Sequence, residues 1–161
     1  MTQTPRRPAG AKAFTALLVA FSTTLACAGG AARPAPLDTR NEPCASCRMS
    51  VSATVFASQI VAPGEVPRFF DDLGCLADYL KAGKAPKDAT AFVADHRTRE
   101  WVRAERAVYT RVDGLATPMA SHVIAHADLA SRDQDPDARG GRPVEVSAFF
   151  GSGFLPVGGN R

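Results

Sequence analysis

Sulfur donors are concentrated in residues 44–49, which read CASCRM. This segment holds the thiols of Cys44 and Cys47 and the thioether of Met49. Thiolates and thioethers are soft donors, which suit Cu(I) and suit magnesium or calcium poorly. The segment is therefore compatible with a soft-metal site, a zinc site, a disulfide or thiol redox chemistry.

A predicted strand and a predicted helix carry these sulfurs. Residues 49–62 are rich in β-branched and aromatic residues and predict a strand, with Cys47 and Met49 two residues apart at its start. Because strand side chains alternate, both sulfurs are expected on one face, as a Cu(I) site requires. Cys75 falls in the first turn of a predicted helix, where the helix dipole favours the thiolate.

A second group of donors lies in the predicted loop DGLATPMASH. Met119 and His122 lie close together there, and His126 follows further on. We expect Met119, helped by His122 rather than His126, to complete the metal site or to receive its ion. The alternative is that Met119 packs into the core behind Pro118. His96, followed by RTRE, is predicted to be a surface residue in a turn.

The N-terminal 26 residues are typical of a secretory signal. A basic segment, MTQTPRRPAGAK, precedes a short apolar stretch that ends in TLAC. This pattern predicts a lipoprotein signal peptide over residues 1–26, with Cys27 lipidated as the first mature residue. The alternative is ordinary cleavage next to an incidental Cys27. Lipidation would tether the protein to a membrane without a spanning helix.

The charge of the chain belongs mostly to this leader. The whole sequence has 19 basic and 16 acidic residues, and the leader contributes three basic residues and no acid. The remainder therefore has 19 − 3 = 16 basic residues against 16 acidic ones. Nothing in it indicates the basic patch that a nucleic-acid partner would require.

The rest of the chain predicts an α+β fold of two small strand–strand–helix units side by side. A flexible tether is expected over residues 27–42, a folded domain that carries the candidate Cu(I) site over 43–150 and a loose tail over 151–161. The first unit is predicted as a strand, the strand RFF and a helix that Asp71 or Asp72 caps. The second unit repeats this rhythm, and GRPVEVSAFF is predicted to return as a short strand.

The order of four segments resembles the NosL family, lipoproteins that accompany nitrous oxide reductase. These segments are CASCRMSVSATVFASQI, FFDDLGCLADYL, AFVADHRTREWVRAERAVY and TPMASH, and they span most of residues 43–130. The resemblance implies a Cu(I)-binding protein that faces the periplasm, anchored to the outer membrane. It also implies delivery of copper to nitrous oxide reductase or its maturation machinery.

The resemblance also implies metal-binding residues. Cys47 and Met49 match the family's C-x-M, and Met119 matches the methionine of its TPM loop. Cys44 and Cys75 match recurrent family cysteines. The chain departs from the family after Met119, where many relatives have a glycine and this chain has Ser121 and His122. His122 is therefore a candidate nitrogen ligand, and another copper enzyme is a candidate client.

Two other functions remain open beside a copper chaperone that is not an enzyme. A thiol–disulfide oxidoreductase would use Cys44 and Cys47, although its CxxC is expected at a helix start and here precedes a predicted hairpin. A structural zinc module would use the three cysteines of the mature domain and a histidine. That arrangement leaves Met49 without a role.

Overall fold

The computed structural model describes residues 1–2 and 31–152, and from Ala31 onward it combines two antiparallel sheets with three helices. The strands are β1 Ser58–Val61, β2 Arg68–Phe70, β3 Thr90–Ala94, β4 Trp101–Arg103, β5 Val108–Arg111, β6 Val123–His126 and β7 Arg142–Pro143. The helices are α1 Leu73–Lys81, α2 Leu129–Gln134 and α3 Val146–Phe150. Short 3₁₀ turns lie at Thr54–Phe56, Ala104–Arg106 and Pro136–Ala138. The predicted α+β class is confirmed.

Each sheet contains a hairpin that leads into a helix, and the sequence predicts the first of these two hairpins. The first sheet has the strand order β2-β1-β3-β4, and the second has the order β6-β5-β7. Hairpin β1–β2 continues into α1, and hairpin β5–β6 continues into α2. The two predicted strand–strand–helix units are therefore present.

Helices α1 and α2 are each capped by an aspartate that lies two residues beyond the end of a strand. Asp72 accepts a hydrogen bond from the Gly74 N–H at 2.6 Å, and Asp128 accepts one from the Ser131 N–H at 2.7 Å. Such N-caps satisfy backbone donors that a helix leaves free. α1 then buries its apolar face, which includes Cys75, in the core, and Gly83 follows it with a φ of 65°.

Two six-residue turns, residues 44–49 and residues 95–100, share one backbone conformation. In each, the first N–H donates to the sixth carbonyl, at 2.7 and 2.8 Å, and the fifth N–H donates to the first carbonyl, at 3.1 and 2.8 Å. The fifth residue is an arginine in the left-handed region in both, with φ 69° at Arg48 and 67° at Arg99. Each turn precedes a 3₁₀ turn, a hairpin and a helix, so the repeat extends beyond the two predicted units.

Two predicted strands are corrected. The predicted strand over residues 49–62 is present only at Ser58–Val61, because the chain first forms the 44–49 turn and a 3₁₀ turn. Residues 142–143 do form a short strand, but Val146–Phe150 is helical. Phe150 is buried there and lies 5.0 Å from the ring of Tyr109, so core packing accompanies a helix in a segment of strand-like composition.

The chain that precedes residue 43 already contacts the fold. Gln59 exchanges two hydrogen bonds with the backbone of Ala35, at 2.7 and 3.1 Å, and Leu37 packs against the core. The segment predicted as a tether therefore contacts the domain through Ala35 and Leu37.

Most of the predicted signal peptide, Cys27, the first residues of the predicted tether and most of the predicted C-terminal tail lie outside the described residues. Among the helices of residues 1–2 and 31–152, none has the length and apolarity that crossing a membrane demands.

Candidate metal centre

The three cysteines of the described chain converge with one acid. Donor atoms of Cys44, Cys47, Asp71 and Cys75 all lie within 4.8 Å of one another. Cys44, Asp71 and Cys75 are buried, and Cys47 is half-buried. The cysteines are present as free thiols, so the structure contains a four-donor cluster with one donor near the surface.

The 44–49 turn positions the first two thiols. The Cys47 N–H points to Cys44 Sγ at 3.5 Å, and the left-handed Arg48 reverses the chain directly afterwards. The Ala45 N–H donates to the Phe69 carbonyl at 2.8 Å, which joins the turn to β2. Because Asp71 follows the end of β2 directly, the same contact brings its carboxylate to the thiols.

The third thiol comes from the first turn of α1. Cys75 is the third residue of this helix, after the Asp72 cap. A turn, a strand end and a capped helix therefore fix the four donors independently of a metal ion, which is the preorganisation that a binding site needs.

Burial and neighbouring groups disfavour the thiolate forms of Cys47 and Cys75. Burial raises the pKa of Cys75 well above its ordinary value, and the neighbouring Cys44 and Asp71 raise it further. Burial also raises the pKa of Cys47, whose S–H donates to both Asp71 carboxylate oxygens at 3.4 Å. The expected helix-dipole effect at Cys75 is thus outweighed by burial and negative neighbours. A metal ion must displace these protons when it binds.

Met49 does not share a strand face with Cys47. Both residues lie in the 44–49 turn, and the left-handed Arg48 between them breaks the alternation of side chains. The Met49 side chain is 61% exposed. The strand argument for pairing the two sulfurs is therefore wrong, although a ligand role for Met49 stays a prediction.

Met119 lies on a loop that crosses the N-terminus of α1. Its N–H donates to Asp72 Oδ2 at 3.0 Å, while Asp72 Oδ1 caps the helix. Burial alone would raise the pKa of Asp72, but hydrogen bonds, including those from Ser121 and Thr117, lower it below its ordinary value. This anionic cap therefore anchors the loop next to the helix turn that carries Cys75. The Met119 side chain is 47% exposed, so it does not pack into the core, which was the alternative to the predicted ligand role. The ligand role itself stays a prediction.

His122 has a defined tautomer. Its Nδ1 lies 2.8 Å from the Leu115 carbonyl, which can only accept, so Nδ1 carries the proton. Nε2 is left with a lone pair that can coordinate a metal ion, as ligating histidines commonly are oriented. His122 lies on the same loop as Met119, and its ligand role stays a prediction.

Sequence reasoning missed Asp71 as a donor and misplaced His96. Asp71 was expected only as one of two possible helix caps, and the signal for its second role is its position between a strand end and the true cap, Asp72. His96 is not a surface residue, since it is 8% exposed and forms a separate group with His126 and Asp135. His126 therefore belongs to that group, while the thiols and Asp71 form their own.

The structure thus shows a cysteine-rich cluster that is compatible with metal binding. Searches of protein-family models, of curated proteins and of solved structures found no match for this chain.

Proposed function

We propose that this protein binds Cu(I) through Cys44, Cys47 and Cys75 and delivers it to a copper enzyme. The observation that carries this proposal is the convergence of three thiols within 4.8 Å on a preformed scaffold. Thiolates are the donors that Cu(I) prefers. The half-buried Cys47 gives the ion a route to the two buried sulfurs.

The chain repeats one arrangement twice, first from the 44–49 turn to α1 and again from the 95–100 turn to α2. Comparison of this second repeat with the first supports a functional role for the thiols. There, the positions equivalent to Cys44 and Cys75 are Asp95 and Ser131, which form a hydrogen bond at 2.7 Å. Asp95 also accepts from the backbone N–H groups of its own turn. Because oxygen side chains hold the same turn and helix together, the fold does not require cysteines at these positions.

Delivery requires a donor set that can release its ion, and the exposed thioethers suit that requirement. Met49 ends the turn that carries Cys47, and the Met119 loop lies over the start of α1. Thioethers are neutral and weaker donors than thiolates, so they can accept Cu(I) without trapping it. We propose that Met119, with His122, forms the exposed arm through which the ion leaves.

The client and the location rest on the resemblance to the NosL family. On that basis, we propose a periplasm-facing lipoprotein of the outer membrane that serves nitrous oxide reductase or its maturation machinery. The short leader and Cys27 support this location, and the departure after Met119 leaves room for another copper enzyme as client.

A closed zinc site is the second candidate, because Asp71 supplies a fourth ligand beside the three cysteines. Three thiolates and one carboxylate are ligand types that zinc accepts, and they reach the four ligands of a structural zinc site. The thiol–disulfide function receives less support, since Cys44 and Cys47 lie in a turn and not at the start of a helix.

Metal analysis of the reduced, full-length protein tests the proposal. The protein would be exposed to Cu(I) and Zn(II) together, at equal concentrations buffered by chelators of known affinity. One equivalent of copper that is lost in Cys47→Ser would support copper handling. One equivalent of zinc that is lost in Cys47→Ser would favour the structural zinc site, and the absence of any bound metal that depends on Cys47 would contradict both.

A further inference from the structure

We propose that His96, His126 and Asp135 form a second metal site, which takes a divalent ion of the zinc class. His96 Nδ1 lies 2.7 Å from Asp135 Oδ2, and His126 Nε2 lies 2.9 Å from the same oxygen. The donor atoms of the three residues lie within 4.8 Å of one another, and all three side chains are buried. The proposal does not depend on the function of the thiol cluster.

The three donors come from separate elements that hold them rigidly. His96 is the second residue of the 95–100 turn, and its N–H donates to the Ala125 carbonyl at 2.8 Å. His126 ends β6, and Asp135 directly follows α2. The other oxygen of Asp135 accepts from the Asp137 N–H at 2.9 Å, which fixes the carboxylate. Backbone contacts therefore place this site without a metal ion.

The donor types select the class of ion. Two imidazoles and a carboxylate suit zinc and neighbouring divalent ions, and they lack the soft sulfur that favours Cu(I). His96 and Asp135 also line an open cavity of about 400 Å³. A cavity at this position gives the ion an entrance and leaves space for water as a further ligand. Arg97, Arg99 and Asp137 also line the cavity, so its charge is mixed.

One ring nitrogen limits how tightly the site can bind. His126 Nδ1 is buried and has no hydrogen-bond partner within the described part of the chain. Coordination through Nε2 would put the ring proton on Nδ1, and a buried N–H without an acceptor is unfavourable. We therefore expect weaker, more exchangeable binding here than at the thiol cluster. A pure hydrogen-bond network, in which both rings donate to Asp135, is the competing explanation.

The first repeat supplies suitable substitutions. The Ala45 N–H donates to the Phe69 carbonyl, as the His96 N–H donates to the Ala125 carbonyl, so Ala45 and Phe70 occupy the positions equivalent to His96 and His126. The first repeat thus forms the same contact with alanine and phenylalanine there. His96→Ala and His126→Phe therefore introduce residues that the first repeat has at the equivalent positions, so we expect both variants to fold.

Co(II) titration of the reduced, full-length protein provides the test. Thiolate-bound Co(II) gives sulfur-to-metal charge-transfer bands, whereas a site of nitrogen and oxygen gives ligand-field bands alone. We expect two spectral components in the wild type. His96→Ala and His126→Phe should each remove the component that has ligand-field bands alone and keep the charge-transfer bands. Cys47→Ser should keep the component that has ligand-field bands alone. Metal-free thermal unfolding checks that each variant is folded.

A measurement on the wild type avoids dependence on these variants. Nitrogen-15 NMR of the imidazole rings, before and after Zn(II) addition, should shift His96 Nδ1 and His126 Nε2 and leave His122 Nδ1 unchanged. Unshifted His96 and His126 nitrogens under saturating Zn(II) would overturn the proposal and leave the group as a hydrogen-bond network. Co(II) binding by both histidine variants equal to that of the wild type would overturn it as well.

Discussion

The Cys47 thiol donates to both carboxylate oxygens of Asp71, each at 3.4 Å. A carboxylate in this position is a hard donor placed among three soft ones. Zinc accepts such a mixture as a four-ligand site, whereas Cu(I) is satisfied by sulfur alone. The role of Asp71 therefore distinguishes the two metal functions.

Substitution of Asp71 by asparagine should separate zinc from copper. Asparagine keeps the size of the side chain and removes its charge. If the site serves Cu(I), Asp71 is not itself a ligand, and we expect Asp71→Asn to change the Cu(I) affinity by less than about tenfold. Residues that only support the metal ligands typically change metal affinity by about 10–100-fold when they are substituted, so tenfold is the lower end of that range. Zn(II) affinity should fall further, because zinc would lose its fourth ligand. Competition titrations with a chelator for each ion measure both values. A larger loss for Cu(I) than for Zn(II) would contradict the copper assignment.

Cys47 should contribute more to Cu(I) binding than Met49. Cys47→Ser removes a thiolate that belongs to the cluster, so we expect a loss beyond the roughly 10–100-fold effect of an outer-shell change. Met49→Leu keeps the apolar volume of an exposed side chain, and its loss should be smaller. Titration against a Cu(I) chelator compares the two. Equal affinity of Cys47→Ser and the wild type would remove Cys47 from the site.

The elements that could be predicted from sequence are those with local signals. Strand β2 and helix α1 follow from an apolar run, an aspartate cap and a terminal glycine. The strand expected before Ser58 fails because β-branched composition does not reveal the left-handed Arg48 or the 3₁₀ turn. The strand predicted over the segment that forms helix α3 is wrong for a related reason, since packing and not composition determines the conformation of a short buried segment.

The site could be predicted only in part because its donors are distant in sequence. The CxxC segment and Cys75 were identifiable as donors, but their convergence depends on the contact between Ala45 and β2. The same contact brings Asp71 into the cluster, and no spacing rule indicates it. His96 and Asp135 are separated by 39 positions and meet only because α2 returns the chain to the 95–100 turn.

Met119→Ala should leave the stability nearly unchanged and alter copper handling. The side chain is 47% exposed, so we expect an unfolding free energy within about 0.5 kcal/mol of the wild type. Leu76→Ala is the matched control, because Leu76 is fully buried and its truncation should cost about 2–5 kcal/mol. Urea unfolding and Cu(I) transfer to an acceptor chelator measure the two properties. Unchanged affinity and unchanged transfer would exclude Met119 as a ligand.

Cys27→Ser should release the protein from membranes. Cys27 lies outside the described residues, and the prediction rests on the basic leader, its short apolar stretch and the LAC sequence. Stable membrane attachment requires more than one acyl chain, which serine at this position would not receive. Fractionation of cells that express each form measures the effect. Persistent membrane attachment with an uncleaved leader would show that this segment is not a lipoprotein signal.

Asp95 should make the stability of the domain depend on acid pH. Burial alone would raise the pKa of this carboxyl, but hydrogen bonds from its own turn, from the Ala127 N–H and from Ser131 outweigh burial and lower the pKa to about 2. The unfolded chain has an aspartate pKa near 3.9. A pKa that is lower in the folded state stabilises the protein above the unfolded value, and this contribution disappears as pH falls from about 4 to about 2.

The expected contribution is about 2 kcal/mol at neutral pH, and it can be isolated by substitution. Asp95→Asn should lower the unfolding free energy by roughly this amount at pH 7, and by progressively less as the pH approaches 2. Asp113→Asn is the control, since Asp113 forms an exposed ion pair with Arg142, which contributes about 1 kcal/mol at most. Urea unfolding of the three proteins between pH 7 and pH 3 gives the comparison. A difference between Asp95→Asn and the wild type that stays constant across this range would show that the effect comes from altered packing, because a charge-linked contribution must diminish as Asp95 becomes protonated.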